Sequence, residues 1–228
     1  MGNSLFPSGN ASVIGGDGAY GSWTTVFTPS IPLCGFYLAV STTASGQYGL
    51  FNIFIGNGTP GTPQVQNGCM DAGFTGMVYF PFYVGANVAI QLQILNLNST
   101  TDSCSVYVIG VPRGVRKSRS VCQVLGTSTT ANFTNLATTP TQLGVSLGLA
   151  LKEVCVVGGN SSAAISGDFT LSTGSTGATS IISNGSFGGL IGDYRSNGAR
   201  FNLDLPPSQD IWLTSSVTST RAMVYLFY

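Results

Sequence analysis

Residues 80–92 read FPFYVGANVAIQL and residues 201–213 read FNLDLPPSQDIWL, and the two stretches align without a gap. Apolar residues meet apolar residues along this alignment, which pairs Phe82 with Leu203, Val84 with Leu205, Ile90 with Ile211 and Leu92 with Leu213. Further matches occur in the same order, and they pair residues 51–56 with 169–174, Asn67-Gly68 with Asn184-Gly185 and residues 106–108 with 224–226. The offsets are all about 118 residues. This order and spacing predict two copies of one fold.

The end of the first stretch alternates between apolar and polar residues. Ile90, Leu92 and Ile94 are separated by Gln91 and Gln93. Alternate side chains of a β-strand point to opposite faces, so the three apolar residues should point to a core. The two glutamines should then face outward.

Many other short segments are alternating, β-branched or aromatic, and Gly, Pro, Asn and Ser clusters separate them. They predict strands at 35–41, 49–55, 77–83, 88–95, 105–111, 142–149, 153–157, 168–173, 199–205, 211–216 and 222–227. No segment has the pattern of an amphipathic helix. The fold class predicted is therefore all-β, with two tandem antiparallel β-sandwich domains of jelly-roll-like build. A single large barrel is the alternative, but it would not explain the repeat.

The predicted domain boundaries follow the repeat and the composition. They are an N-terminal arm over 1–18, a first β-sandwich over 19–112, a basic linker over 113–121 and a second β-sandwich over 122–228. The arm is rich in Gly and Ser, with Leu5 and Phe6 among its few apolar residues. We expect it to be disordered alone and ordered against a neighbouring subunit.

The linker holds four of the eight basic residues of the chain, Arg113, Arg116, Lys117 and Arg119. Such a run could contact nucleic acid phosphates. It lacks interleaved aromatic residues and the rest of the chain is not basic, so a solvated linker, or one that binds acidic protein surface, is favoured. With Leu5 and Phe6, these four residues are the predicted interaction residues, and no nucleic acid partner is expected.

Charge is scarce in this chain. Charged residues make up 7% of it, hydrophobic residues 43%, and the formal net charge is zero. The hydrophobic content predicts a packed fold rather than disorder. The longest apolar run, residues 143–157, is too short and too interrupted for a membrane helix, so no membrane association is expected. A surface with so little charge suits an assembly.

The residue types needed for common active sites are largely missing. The chain has no histidine, which removes the usual general base and the usual zinc ligand. Paired carboxylates could still catalyse glycoside hydrolysis, and the candidates are Asp17, Asp71, Asp102, Glu153, Asp168, Asp193, Asp204 and Asp210. Asp204 and Asp210 could alternatively bind a cation. We expect solvated turn residues instead, and predict no enzyme activity, no catalytic residue, no cofactor and no metal.

Five cysteines are spread along the chain without a CxxC pair, at Cys34, Cys69, Cys104, Cys122 and Cys155. An odd number cannot all pair within one chain. Buried thiols outside disulfides are therefore predicted.

Two motifs carry a resemblance to a known group of proteins. Residues 51–58 read FNIFIGNG, and residues 78–93 read VYFPFYVGANVAIQLQ. They resemble small virion structural proteins of tailed bacteriophages, in which an apolar strand ends in Ile-Gly-x-Gly and a later Tyr-Phe-Phe-Pro is followed by a proline turn. Residues 84–87 lack that proline, whereas Pro206 and Pro207 supply one in the second copy.

The resemblance implies a capsid decoration (cement) protein that binds the major capsid protein across subunits and stabilises the phage head. Its expected location is the capsid surface of the virion. Homo-oligomers are common among symmetric assemblies, and a trimer is expected here. The alternative is a tail or fibre protein with a receptor-binding or glycan-binding role.

Overall fold

The computed structural model describes residues 6–42, 48–71, 77–96, 103–114, 118–126, 134–136, 138–159, 167–187, 199–216 and 220–228. In these ranges every regular element is a β-strand, so the prediction of an all-β chain is confirmed. The chain forms two compact units, Met1–Val121 and Cys122–Tyr228. No helix long and apolar enough to cross a membrane is present in the described ranges.

The first unit has nine strands in its described residues, arranged in two sheets. They are β1 (Ser8–Ile14), β2 (Gly16–Asp17), β3 (Thr24–Phe27), β4 (Leu33–Thr42), β5 (Tyr48–Ile55), β6 (Val65–Asp71), β7 (Val78–Phe80), β8 (Ile90–Asn96) and β9 (Ser103–Pro112). One sheet has the order β1-β9-β4-β7. The other has the order β2-β8-β5-β6, and β3 also pairs with β8. All these pairs are antiparallel except β2 with β8.

The second unit likewise has nine strands in its described residues. They are β10 (Cys122–Leu125), β11 (Thr134–Leu136), β12 (Thr141–Val145), β13 (Leu151–Gly159), β14 (Gly167–Thr173), β15 (Thr179–Phe187), β16 (Ala199–Leu205), β17 (Asp210–Ser215) and β18 (Thr220–Phe227). One sheet has the order β10-β18-β13-β16, with β11 also paired to β18, and the other has the order β12-β17-β14-β15.

The strand orders of the two units correspond. The order β1-β9-β4-β7 becomes β10-β18-β13-β16 when each strand is replaced by its counterpart, and β3, β8, β5 and β6 correspond to β12, β17, β14 and β15. Eight strands of each unit correspond in this way. In each unit the first of these eight strands pairs with the last, and the chain passes repeatedly between the two sheets. This is the arrangement of a jelly roll. The prediction of two tandem jelly-roll-like sandwiches is confirmed.

An aromatic contact joins the two sheets of the first unit. Phe51 on β5 lies opposite Gly68 on β6, and a Cβ atom on Gly68 would lie 2.5 Å from the Phe51 ring. The same ring packs edge-on against Phe80 of the other sheet, with the centroids 6.3 Å apart. The missing side chain at Gly68 therefore leaves the space in which the ring lies.

The second unit repeats this contact with the equivalent residues. Phe169 on β14 lies opposite Gly185 on β15, where an added Cβ atom would overlap the Phe169 ring. Phe169 packs edge-on against Phe201 of the other sheet, with the centroids 5.9 Å apart. Phe51 and Phe169 were paired by the sequence repeat, so the repeat preserves a contact as well as a strand order.

The alternation predicted for strand β8 is confirmed for its apolar residues and is wrong for one of its glutamines. Its three predicted core residues are fully buried, and they are Ile90, Leu92 and Ile94. The prediction that Gln91 faces outward is wrong, because this side chain is buried. Its Nε2 donates to the carbonyl oxygens of Gly56 at 2.8 Å and Gly58 at 3.2 Å. These two hydrogen bonds satisfy the amide and fasten the β5–β6 turn to β8.

The predicted N-terminal arm needs correction. Residues 8–14 form β1, which pairs with β9 without a register shift, from Ser8 opposite Ile109 to Ile14 opposite Ser103. The small polar residues that suggested disorder are accommodated at this position because β1 lies at the edge of its sheet. Residues 8–14 are therefore part of the first sandwich.

The predicted linker over residues 113–121 also lies within the first unit where it is described. The Ser118 hydroxyl donates to the Cys34 carbonyl at 2.9 Å. The Arg119 N–H donates to the Pro81 carbonyl. These contacts attach the segment to the first sandwich rather than leaving it solvated.

We predict that Gly68→Ala and Gly185→Ala each destabilise their own unit by about 1–3 kcal/mol, because the added methyl group meets a phenylalanine ring. The measurement is denaturant unfolding followed by the fluorescence of Trp23 for the first unit and Trp212 for the second, each in a variant with the other tryptophan changed to Phe. Gly61→Ala and Gly148→Ala are matched controls, because an added Cβ atom there meets nothing within 4 Å. Equal losses in the free energy of unfolding in the control and test variants would contradict the explanation that the glycine leaves space for the ring.

Candidate interaction surface

Two loops meet at one end of the first unit, and we name residues 28–32 and 81–89 the first loop pair. Leu33 and Val84 exchange two backbone hydrogen bonds, of 2.8 and 3.1 Å. Asn87 donates its N–H to the carbonyl of residue 29 at 2.7 Å. Backbone bonds of this kind extend the order of the strands into the loops.

The first loop pair presents apolar and aromatic side chains to solvent. Ile31 and Tyr83 are both exposed, and Tyr83 keeps 50% of its accessible surface. The guanidinium carbon of Arg113 lies 5.8 Å from the centroid of the Tyr83 ring, within the range of a cation–π contact. The surface therefore combines a large exposed ring with one cation.

The equivalent end of the second unit is formed by residues 145–150 and 206–209, which we name the second loop pair. Ser146 donates its N–H to the Gln209 carbonyl at 2.8 Å, and the Gln209 N–H donates to Ser146 Oγ at 2.8 Å. The Ser208 N–H donates to the carbonyl of residue 147 at 2.9 Å. The two loops are therefore joined by three hydrogen bonds.

Exposed large apolar side chains are concentrated on these loops. Eight such side chains are found among the described residues, and they are Phe6, Ile14, Ile31, Tyr83, Tyr107, Val145, Leu147 and Leu149. Five of the eight belong to the two loop pairs. Exposed apolar side chains that cluster on a surface indicate an interaction site. The second loop pair could not be recognised from the sequence because residues 142–149 were predicted as a strand, whereas β12 ends at Val145.

A polar network lies beneath the second loop pair. The Tyr228 hydroxyl donates to Gln123 Oε1 at 2.7 Å and accepts from the Leu147 N–H at 2.9 Å. Gln123 Nε2 donates to the Val145 carbonyl at 2.9 Å. Burial raises the pKa of the Tyr228 phenol, although the hydrogen bond from Leu147 lowers it. The phenol therefore stays protonated, and remains a donor, over the whole neutral range.

The structure brings part of the predicted basic cluster to the first loop pair. Arg113 lies over Tyr83, and Arg119 is bonded to Pro81 and forms a β-bridge with Phe82. Phe6 is exposed and lies away from these loops in sequence. The other predicted interaction residues, Leu5, Arg116 and Lys117, lie outside the described residues. Their role remains a prediction.

Three of the candidate carboxylates have separate side-chain partners. Lys152 Nζ lies 2.5 Å from Asp204, and Gln142 donates to Asp210 at 3.0 Å. Glu153 forms an ion pair with Arg200. Where side chains are described, no group of three His, Cys, Asp or Glu residues could hold a metal ion. Asp204 and Asp210 are thus each bound by a different side chain, while Asp102 and Asp193 lie outside the described residues.

A buried ion pair and two thiols lie on one sheet of the second unit. The side chains of Glu153 and Arg200 are 10% and 18% exposed, and the Arg200 guanidinium lies 4.9 Å from the Phe227 ring centroid. Burial raises the pKa of the Cys155 thiol to about 12. Burial also raises the pKa of Cys122, with a further rise from Cys155 and an opposing effect of Arg200. Protonated thiols are poor nucleophiles, so neither cysteine is activated.

The prediction of buried thiols is confirmed for Cys34, Cys104 and Cys155, which are buried and outside disulfides. Cys122 is also outside a disulfide but only half-buried as a residue. The side chain of Cys69 is not described.

No family model and no curated protein sequence matches the chain. Solved structures with a similar fold include PNGase F, a glycosylasparaginase from Flavobacterium meningosepticum, with a TM-score of 0.44, 12% identity and coverage of 97% of this chain and 96% of that one. They include the viral major capsid protein STIV MCP, with a TM-score of 0.38, 11% identity and coverage of 97% and 95%. They also include PNGF-II, with a TM-score of 0.42, 9% identity and coverage of 99% and 66%. At these identities the likeness concerns the fold alone.

One prediction from the sequence has to be corrected. The chain was predicted not to be an enzyme, but the structures that it resembles over nearly its whole length include PNGase F, an enzyme. One fold can carry both catalytic and structural functions. The fold is therefore no ground for the prediction that this chain has no enzyme activity.

We predict that the second unit loses stability as the pH rises from about 9 to about 12, in part through Cys155. Its thiol keeps its proton in the folded state up to a pKa of about 12, whereas the unfolded thiol loses it near 9. The unfolded state therefore binds fewer protons, and this residue lowers the free energy of unfolding by about 1.4 kcal/mol per pH unit.

Cys155→Ala should remove this part of the pH dependence, measured by denaturant unfolding with Trp212 fluorescence at pH 8.5 and 10.5 under reducing conditions. Val154→Ala is the control, because it also removes buried side-chain volume but keeps the thiol. If the free energy of unfolding changes equally with pH in Cys155→Ala and in the unmodified chain, the Cys155 thiol does not cause this pH dependence.

Proposed function

We propose that this chain is a structural protein of a virion and acts as a capsid decoration (cement) protein, binding across neighbouring capsid subunits. The observation that carries the proposal is the clustering of five of eight exposed large apolar side chains on equivalent loop pairs of two tandem jelly rolls. Jelly rolls are common in viral capsid proteins, and a viral capsid protein is among the structures of similar fold.

Low charge supports the same proposal. Charged residues are depleted from the cores of protein interfaces, and aromatic residues and Arg are enriched there. The second loop pair exposes Val145, Leu147 and Leu149 around Gly148. The first loop pair adds Tyr83 beside a cation, a combination that often dominates binding energy.

Two docking ends in one chain suit a protein that stabilises an assembly. When one end is bound, the other binds as an intramolecular event, so two weak contacts combine into a strong one. Such a protein binds the assembled shell more tightly than separate subunits, and it stabilises the shell by that difference in binding free energy. A homotrimer is proposed because symmetric copies could surround a symmetry axis of the shell.

The test is co-sedimentation of the purified protein with particles that lack it, followed by electron microscopy of the decorated particles. Regular density over the capsid surface is the expected result, and the number of copies in each density gives the oligomeric state. Density confined to the tail would replace the decoration role with the tail or fibre alternative. No binding to particles would overturn the proposal.

We predict that Tyr83→Ala and Leu149→Ser each weaken particle binding about tenfold, because truncating an interface anchor costs about 1–2 kcal/mol. The double variant should bind more weakly than either single one. Tyr107→Ala is the matched control for Tyr83→Ala, since Tyr107 is 44% exposed and lies on strand β9 of the same unit, outside the first loop pair. An equal loss of binding from Tyr107→Ala would show that the loops are not the docking surface.

A further inference from the structure

The second loop pair keeps apolar side chains in solvent on a backbone that is no longer part of a strand. Strand β12 ends at Val145, and β13 begins at Leu151. Leu147 and Leu149 lie between them and are exposed. An exposed apolar loop would fold over its own apolar residues if nothing held its backbone. The loop therefore needs an attachment that leaves its side chains outside.

The three bonds to residues 206–209 supply part of this attachment, and side chains at both ends of the unit's sequence supply the rest. Gln123 belongs to β10 and Tyr228 follows β18, two strands that are hydrogen-bonded neighbours. The Leu147 N–H lies 2.9 Å from the Tyr228 hydroxyl oxygen and 3.2 Å from Gln123 Oε1. The Tyr228 hydroxyl donates to the same Oε1 atom at 2.7 Å, and Gln123 Nε2 donates to the Val145 carbonyl at 2.9 Å. These contacts form one connected network.

The network acts on the backbone and leaves the apolar side chains untouched. Tyr228 is 8% exposed, and the two hydrogen bonds of its hydroxyl are partly buried. Hydrogen bonds in a shielded environment are harder to exchange for bonds to solvent than surface ones. The first loop pair is attached by a different side chain, since Asn57 accepts from the Ala89 N–H at 2.9 Å and donates to the Asn87 carbonyl at 3.0 Å.

We propose that Tyr228 and Gln123 form a latch that holds residues 145–149 in their docking conformation, so that the loop binds its capsid partner without first becoming ordered. The proposal rests on the proposed function, because it assigns positioning residues to the same surface. Binding a pre-ordered loop costs less conformational entropy than binding a mobile one. Tyr228 and Gln123 thus determine affinity without touching the partner.

The latch is tested first in the free protein by amide hydrogen exchange. In Tyr228→Phe, which keeps the ring, the Leu147 amide should exchange about tenfold faster, because two hydrogen bonds of the hydroxyl are lost. Gln123→Leu should produce a similar increase. Tyr107→Phe is the control and should leave the Leu147 amide unchanged. Trp212 fluorescence confirms that each variant is folded. Unchanged exchange in folded Tyr228→Phe would overturn the latch.

The second test measures binding of the same variants to particles that lack the protein. Tyr228→Phe and Gln123→Leu should bind about tenfold more weakly than the unmodified chain, and Tyr107→Phe should bind equally well. Faster exchange with unchanged binding would overturn the positioning role. Loss of binding in Leu149→Ser but not in Tyr228→Phe would leave the docking surface intact and remove the latch. Unchanged binding in Leu149→Ser would instead remove this loop from the proposed function.

Discussion

Each sandwich depends on a phenylalanine that lies over a glycine of the neighbouring strand. In the first unit the Phe51 ring covers Gly68 and reaches Phe80 of the opposite sheet. A side chain at the glycine would push the ring out of the space between the sheets. The contact therefore fixes the register of one strand pair and the packing of two sheets together. Its repetition at Phe169 and Gly185 explains how two copies with few identical residues keep one architecture.

Scarce charge determines how the rest of the surface is built. Strands β1 and β15 lie at sheet edges. Edge strands are commonly protected by charged residues. In a chain with 7% charged residues, small residues such as Ser, Thr, Asn, Gly and Ala take most of these positions instead.

The central strands could be predicted from the sequence, but several edge strands could not. Strand β8 alternates between apolar and polar residues in sequence, so its three core residues follow from periodicity, although it spans Ile90–Asn96 rather than the predicted residues 88–95. Strands β1, β6 and β15 are rich in Gly, Asn and Ser, which are typical of turns. Their extended conformation comes from pairing with β9, β5 and β14, which are distant in sequence. Local composition carries no information about such pairing.

The candidate interaction surface could not be predicted from the sequence for a related reason. An apolar run such as residues 145–149 has the composition of a core strand, and only its position in the fold shows that it is exposed. Its anchors, Gln123 and Tyr228, are remote from it in sequence and meet it because β10 and β18 are neighbours in one sheet. The first loop pair has a different side-chain anchor, because Asn57 of the β5–β6 turn accepts from the Ala89 N–H and donates to the Asn87 carbonyl. Duplication of the fold therefore preserved the position of the exposed end while its means of support diverged between the copies.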